Sequence, residues 1–204
     1  NHMKVLFISP INKYGATQSL LSLCKLLVSE GVDVSAIVPQ KGSIQRNLTH
    51  SGVKCYWIPF GHNTYNPSKH FLLNIALYMI KKIINSMADI RIWRLIKKEH
   101  YDIVHINSAV VDVGSVPAHI CHVKLFRHLR EFVEEDFGRR FYHKEASYRK
   151  IALSDYIIAV SKAICDKYNN NFDSGKIKII YNGVDESRYL PRRKNILHNP
   201  CVKI

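Results

Sequence analysis

Short apolar runs alternate with segments of helical periodicity along the first part of this sequence. Each run is rich in β-branched or aromatic residues and is closed by a proline, which is typical of strands buried on both faces of a parallel sheet. Between the runs, apolar residues recur at three- and four-residue spacing and a glycine follows, which indicates amphipathic helices. The pattern predicts strands over residues 4–9, 32–38 and 53–58, with helices over residues 20–28 and 43–50, the second capped by Ser43.

The remainder of the chain continues this alternation after one long helical segment. A loop covers residues 61–69, and a helical pattern extends over residues 70–99, with an expected break near Asn85 and Ser86. Further strands are predicted over residues 102–107, 124–129, 156–160 and 177–180, with helices over 112–122, 141–153 and 162–169. This order predicts an α/β fold with a Rossmann-like, mostly parallel, seven-stranded sheet and helices on both faces.

Composition narrows the class of protein. The chain has 204 residues, 47% of them hydrophobic, so it can bury a core and is not a disordered segment. No apolar run of about 18 residues is free of charge, and on that criterion we expect no membrane-spanning helix. The net charge of +14 favours anionic partners such as phosphorylated small molecules or acidic lipid headgroups. The basic residues are scattered and match no RNA- or DNA-binding motif, so nucleic acid is not an expected partner.

The ends of the chain and its cysteines give further expectations. Residues 1–3 resemble a cloning remnant, residues 4–185 are predicted to form one domain, and residues 186–204 a linker and the start of a second domain. The five cysteines lie far apart without a CxxC pair, which is typical of free thiols in a reducing cytoplasm. His119, Cys121 and His122 lack a second ligand pair, so no metal site is predicted.

Candidate functional residues follow the ends of the predicted strands, where open α/β sheets bind their ligands. Tyr14, Gly15 and Ala16 open the first helix, and a glycine there lets backbone amides approach a phosphate. The segment matches neither GxGxxG nor a P-loop, so a dinucleotide site is disfavoured and a plain tight turn is equally compatible. His105 and Asn107 face the same side of the fourth predicted strand, either as site residues or as hydrogen-bonded core residues.

Charged and polar residues also follow the fifth and sixth predicted strands. Arg130 carries a fork of donors that fits a phosphate or a carboxylate, and Glu131 could orient Arg130 or act as a base. The alternative for this pair is a solvated surface salt bridge. Ser161 is placed to cap the following helix, a role that we favour over ligand binding.

The helical segment over residues 70–99 combines aromatic and aliphatic side chains with cations. This composition is typical of a segment that lies on an anionic membrane surface. The alternative is an ordinary amphipathic helix packed on the sheet, and both can hold for different faces. The cations are Lys81, Lys82, Arg91, Arg94, Lys97 and Lys98.

Several segments in this order match one known pattern. They are residues 4–8 followed by Gly15 and Ala16, residues 31–39, residues 102–107, residues 154–161, and Ile180-Tyr181-Asn182-Gly183-Val184-Asp185 with Tyr189-Leu190-Pro191 behind it. Together they resemble the N-terminal domain of a retaining, family 4 type glycosyltransferase with the two-domain GT-B fold. The last segment is the most specific, and in the family it leads toward the second domain. The resemblance covers residues 4–191 and depends on the order and spacing of its motifs.

The resemblance implies the transfer of a sugar from a nucleotide-sugar to an acceptor with retention, with no cofactor and no obligatory metal. By the same resemblance, Gly15 and Ala16 are expected to lie close to the donor diphosphate. Candidate catalytic residues are Arg130, Glu131 and His105, and candidate acceptor-binding residues are Tyr14, Asn107 and Ser161. The chain departs from the family in the first loop, where Tyr14 precedes Gly15 and Thr17 replaces an acidic residue. It also has Arg130 and Glu131 where many members have a histidine, as in a subset of members.

The expected function is therefore the acceptor-binding half of a glycosyltransferase that builds a cell-surface polysaccharide. We expect a nucleotide-sugar donor, a saccharide or lipid-linked saccharide acceptor, and a cytoplasmic protein with peripheral contact to an anionic membrane. This part of the enzyme is expected to be inactive alone, because most donor contacts of the family lie in the second domain. The alternative is a non-catalytic Rossmann-like module that uses its charge to bind an anionic ligand or a membrane surface.

Overall fold

A computed structural model describes residues 2–10, 15–172 and 175–183 of this protein. Its central strands are β1 (Lys4–Ile8), β2 (Asp33–Val38), β3 (Lys54–Trp57), β5 (Ile103–Ile106), β6 (Lys124–Leu129), β8 (Tyr156–Ala159) and β9 (Ile177–Ile179), and two short strands, β4 (Thr64–Tyr65) and β7 (Arg140–Phe141), lie outside this set. The central strands form one seven-stranded sheet in the order β3-β2-β1-β5-β6-β8-β9. Every pairing in this sheet is parallel, so the predicted seven-stranded parallel sheet is confirmed.

Helices connect the strands, as the alternation of the sequence predicts. They are α1 (Gly15–Ser29), α2 (Ser43–His50), α3 (Phe71–Glu99), α4 (Ser115–Ile120), α5 (Lys144–Ala152) and α6 (Lys162–Asn169). The prediction for α6 is confirmed to the residue. The cap of α2 is wrong, because Gly42 occupies the N-cap position and Ser43 is already helical.

The break predicted inside α3 is also wrong, because the helix runs without interruption from Phe71 to Glu99. Asn85 lies inside it, and its side chain bonds to a neighbouring loop instead of to its own helix. The Gly61 N–H donates to Asn85 Oδ1 at 2.8 Å, and Asn85 Nδ2 donates to the Gly61 carbonyl at 3.1 Å. With its polar groups paired outside the helix, this asparagine does not compete with the helical backbone.

Two predicted helices are shorter than expected. α4 begins at Ser115 and not at residue 112, since Gly114 has a φ of +88°, a left-handed conformation that stops the helix from extending backwards. α5 begins at Lys144, because residues 140–141 form β7, which pairs antiparallel with β4. The β4–β7 ribbon escapes prediction from periodicity, since each of its strands has only two residues.

The sheet buries both faces, and alternate residues of β1 enter different cores. Leu6 and Ile8 pack with Ile92 and Ile96 of α3. Phe7, on the opposite face, packs with apolar residues of α1 and α2. A third cluster joins β8 to α5 and α6. The predicted helices on both faces are therefore confirmed.

The first half of α3 leaves the core and exposes its apolar side chains. Ile83 is 61% exposed. α3 is long enough and apolar enough to cross a membrane by length and composition alone, although the C-terminal half of the helix packs on the sheet. The sequence criterion required a run free of charge and is not contradicted, because the most apolar stretch of α3 contains two charged residues, Lys81 and Lys82. The exposed set is Phe71, Leu72, Leu73, Ile75, Met79, Ile80, Ile83, Ile84, Met87 and Ile90.

Candidate active site

The strand order reverses between β1 and β5, and polar residues meet at the carboxyl end of that junction. The connection that follows β1 leads to β2 on one side, and the connection that follows β5 leads to β6 on the other, which opens a crevice above the two strand ends. Ser9 follows β1 and Asn107 follows β5, and both are buried. Asn107 Nδ2 donates to Ser9 Oγ at 3.2 Å, so the two residues span the junction.

Arg130 is the residue that joins the parts of this site. It follows β6, and each nitrogen of its guanidinium contacts a different segment. Nε donates to Asn107 Oδ1 at 2.7 Å, Nη1 to Asn182 Oδ1 at 2.8 Å, and Nη2 approaches Nδ1 of His128 at 3.1 Å. Burial lowers the pKa of Arg130 to about 10, so the guanidinium stays charged at neutral pH. A permanent positive charge, held by hydrogen bonds, therefore lies beside Asn107 at the carboxyl end of β5.

Glu131 lies next to Arg130 but bonds to a different loop. Its Oε1 accepts a short hydrogen bond from the hydroxyl of Ser108, and its Oε2 accepts the Arg130 backbone N–H at 3.1 Å. Burial raises the pKa of this carboxyl, while the Ser108 hydroxyl and nearby backbone amides act in the opposite direction. The solvated surface salt bridge considered for this pair is not what the structure has, because both side chains are engaged in the protein.

His105 and His128 form a buried pair of rings beneath Arg130. Their ring centroids are 5.6 Å apart, and His105 also lies 4.9 Å from the ring of Phe7. Burial and the charges of Arg130 and Arg127 lower the pKa of His105 to about 3, and burial, Arg130 and His105 lower the pKa of His128. Because a guanidinium only donates, Nδ1 of His128 is an acceptor and its proton is on Nε2. His105 is 6% exposed, so its ring is almost completely shielded from solvent.

Arg127 is a site residue that sequence reasoning missed. It lies on β6, is fully buried, and donates from Nη1 to the carbonyls of Ser108, at 3.2 Å, and of Val111. Its Nη2 donates to Ser115 Oγ. These bonds fix the loop between β5 and α4, the same loop whose Ser108 contacts Glu131. A charged residue inside an apolar strand was the available signal, since it requires buried partners.

The remaining predicted site residues lie at helix starts. Gly15 is the first residue of α1 and Ala16 the second, which places the N-terminus of this helix after β1, while Tyr14 lies outside the described residues. Ser161 Oγ accepts the Ile164 N–H at 3.2 Å, so the predicted cap of α6 is confirmed. The structure thus brings Asn107, Arg130 and Glu131 into one cluster with His105 below them. Within residues 2–10, 15–172 and 175–183, no group of three or more His, Cys, Asp or Glu side chains is arranged to hold a metal ion.

The sequence also matches a known family model. The model of Glycosyltransferase Family 4 matches residues 14–188, which include every element from α1 to β9. This chain belongs to glycosyltransferase family 4. The matched range contains Asn107, Arg130, Glu131 and the segment that follows β9. A comparison with curated protein sequences finds no match.

Solved structures support the same fold for this family 4 chain. It is similar to Anabaena Alr3699/HepE in complex with UDP-glucose, with 19% identity, a TM-score of 0.62, and coverage of 92% of this chain and 46% of that one. A glycosyltransferase from Rickettsia africae ESF-5 gives 17% identity, a TM-score of 0.62 and coverage of 95% and 46%. The lipopolysaccharide outer core galactosyltransferase WaaB gives 14% identity, a TM-score of 0.62 and coverage of 90% and 46%. The chain therefore spans about half the length of these GT-B proteins.

Proposed function

We propose that this chain is the acceptor-side half of a glycosyltransferase that transfers a sugar from a nucleotide-sugar to a saccharide acceptor. The reaction retains the anomeric configuration, uses the nucleotide-sugar as co-substrate, and requires no metal. The acceptor is a lipid-linked saccharide of a cell-surface polysaccharide pathway. The protein works at the cytoplasmic face of an anionic membrane. Family membership and the fold of UDP-sugar-bound neighbours support the donor class.

The cluster around Arg130 is the main support for the proposed activity. The leaving diphosphate carries a negative charge that grows in the transition state. A fixed cation or a helix N-terminus near this group lowers the activation barrier. Asn107, His128 and Asn182 hold the Arg130 guanidinium in place, so it needs little reorganisation when the negative charge of the diphosphate develops. The N-terminus of α1 follows β1 at the other side of the same junction.

The exposed apolar side chains of α3 support a membrane contact. The surface of a soluble protein that binds no partner there seldom exposes this many large apolar residues on one helix. The cations Arg91, Arg94 and Lys98 follow on the exposed face of the C-terminal part of the same helix, whose other face packs on the sheet. Acyl chains suit the apolar part and anionic headgroups suit the cations, so one surface accommodates both.

The test of the activity uses the full-length, two-domain protein with a panel of nucleotide-sugars. We expect release of nucleotide from at least one of UDP-glucose, UDP-galactose, UDP-N-acetylglucosamine or GDP-mannose. Arg130→Lys is expected to lower kcat at least tenfold, because lysine cannot bond Asn107, Asn182 and His128 at once. Steady-state release of nucleotide measures this change.

Arg140→Lys is the matched control, since Arg140 is exposed on β7 and away from the cluster. It is expected to leave kcat unchanged. Full-length protein that releases no nucleotide from any donor would argue against the transferase and for a non-catalytic binding module. Equal rates for the Arg130 and Arg140 variants would remove Arg130 from the mechanism.

A further inference from the structure

Two successive side chains after β6 hold two successive residues after β5. Arg130 and Glu131 directly follow β6, and Asn107 and Ser108 directly follow β5, its parallel neighbour in the sheet. Arg130 Nε donates to Asn107 Oδ1 at 2.7 Å, and the Ser108 hydroxyl donates to Glu131 Oε1. The ends of the two strands are therefore joined at two adjacent points.

Ser108 is held from two sides by groups of opposite charge. Its hydroxyl donates to Glu131 and accepts the Val110 N–H at 3.1 Å. Its carbonyl accepts from Arg127 Nη1 at 3.2 Å. Ser108 is buried, and a hydroxyl has a single proton to donate, so the bond to Glu131 fixes its direction. The place of Ser108 also determines that of Asn107, the residue before it.

The carboxylate of Glu131 bonds to the protein through both oxygens. Oε1 accepts from Ser108, Oε2 accepts the Arg130 N–H at 3.1 Å, and the backbone amide of Ala109 also favours the charged form. Arg130 differs in this respect, since its contacts with described residues use three of its five N–H groups. The geometry therefore suits Glu131 for holding the loop and Arg130 for meeting an anion.

The far part of the same loop, which extends over residues 107–114, is fixed by bonds of its own. The Val110 carbonyl accepts the Asn63 N–H at 3.0 Å, and the Gly114 N–H donates to Asp89 Oδ1 at 2.7 Å. These bonds are independent of the carboxylate that follows β6. Removal of that carboxylate is therefore expected to loosen only the start of the loop.

We propose that Glu131 is a positioning residue, which sets the place of Asn107 through Ser108 so that Asn107 directs the Arg130 guanidinium. The inference rests on the proposed function, because it concerns how Arg130 is aimed at the leaving diphosphate. Glu131 then affects the reaction only through the loop and takes no proton from the substrate. A small misplacement of a charged group is enough to lower the rate of such a reaction.

The first experiment follows the Nε–Hε signal of Arg130 in this ¹⁵N-labelled chain, because that group makes the bond to Asn107. Arg130→Lys removes the signal and so assigns it. Glu131→Ala is expected to lower the protection of Hε against solvent exchange at least about tenfold. Ser108→Ala tests the same link without removing a charge, and is expected to have the same effect.

Glu131→Gln is the conservative variant. Its Oε1 can accept the Arg130 N–H and its Nε2 can donate to Ser108 Oγ, so protection of Hε is expected to stay within about twofold of the parent chain. The matched control is Glu134→Ala, at an exposed glutamate three residues further along, which is expected to change nothing.

Kinetics of the full-length, two-domain protein separate positioning from acid–base chemistry. Glu131→Ala and Ser108→Ala are each expected to lower kcat about tenfold, and the double variant no further, because both break one link. Glu131→Gln is expected to keep at least about half of kcat, although glutamine cannot act as a base. A loss above about a hundredfold in Glu131→Gln with Hε still protected would overturn the proposal, as would an unchanged kcat in Ser108→Ala.

The two experiments also distinguish this inference from the proposed function. A full-length protein without turnover, in which Glu131→Ala exposes Hε of Arg130 and Glu131→Gln does not, would refute the transferase and keep the role of Glu131. Turnover together with equal protection of Hε in the parent and in Glu131→Ala would keep the transferase and refute the positioning role.

Discussion

Position 114 requires a residue without a side chain. Gly114 has a φ of +88°, and a Cβ there would lie 2.2 Å from Cδ1 of Ile8. Gly114→Ala is expected to lower the free energy of unfolding by about 2–4 kcal/mol, from backbone strain and overpacking together. Urea denaturation of the chain measures the loss.

Gly138→Ala separates the two causes. Gly138 also has a positive φ, of +56°, but nothing lies within 4 Å of the added Cβ. Only the strain remains, so a loss of about 1 kcal/mol is expected. Equal losses for the two variants would show that Ile8 relaxes without cost.

The sequence predicts single site residues better than their partners. Arg130 and Asn107 follow strand ends, and the rule for open sheets is enough to select them. Arg127 is a charged residue in an apolar strand, which signals buried partners, but the sequence does not identify those partners because they are mostly backbone carbonyls of a loop 16 to 19 residues away.

At the scale of an element, α3 gives the clearest prediction. Met79 and Ile83 lie one turn apart and are both exposed. The parent chain is expected to co-sediment with phosphatidylglycerol vesicles more than with neutral ones. Replacing both residues with glutamine is expected to lower the partition coefficient at least about tenfold, since two apolar side chains no longer enter the interface.

The control for α3 is Leu26→Gln on α1. Leu26 is a comparably exposed apolar residue on a different helix. It is expected to leave co-sedimentation unchanged. Equal binding to anionic and neutral vesicles, or none, would refute the membrane contact.

Long and periodic elements could be predicted from the sequence, and short or context-dependent ones could not. The seven parallel strands and α6 follow from apolar runs and helical spacing. The β4–β7 ribbon has no period to detect, because each of its strands is two residues long. The sequence does not reveal the continuity of α3, because the Asn85 side chain pairs with the backbone of Gly61, 24 residues away, and not with its own helix.

For the whole molecule, acid is expected to destabilise the fold through buried histidines. The pKa values of His62, His105 and His128 are lowered, so the unfolded chain takes up protons first as the pH falls below about 6.5. Each is expected to contribute about 1–2 kcal/mol to the loss between pH 7 and pH 5. Asp89, whose pKa is raised to about 6, acts in the opposite direction over the lower part of this range.

Urea denaturation at pH 7 and pH 5 measures this dependence. His62→Gln is expected to reduce the loss of stability, and His50→Gln, at an exposed position of α2, is expected to leave it unchanged. Asp89→Asn is expected to increase the loss. A chain as stable at pH 5 as at pH 7 would contradict the assignment of neutral buried histidines.

The bond between Arg130 and Asn182 has a consequence for ligand binding. Asn182 lies beyond β9, and its side chain occupies Nη1 of a guanidinium whose other two nitrogens are also engaged. A guanidinium carries five N–H donors and these three contacts use three of them, so one N–H on Nη1 and one on Nη2 remain for an anion. Asn182 and an anion can therefore share the guanidinium. The segment that follows β9 thus helps to set the direction from which Arg130 meets the anion.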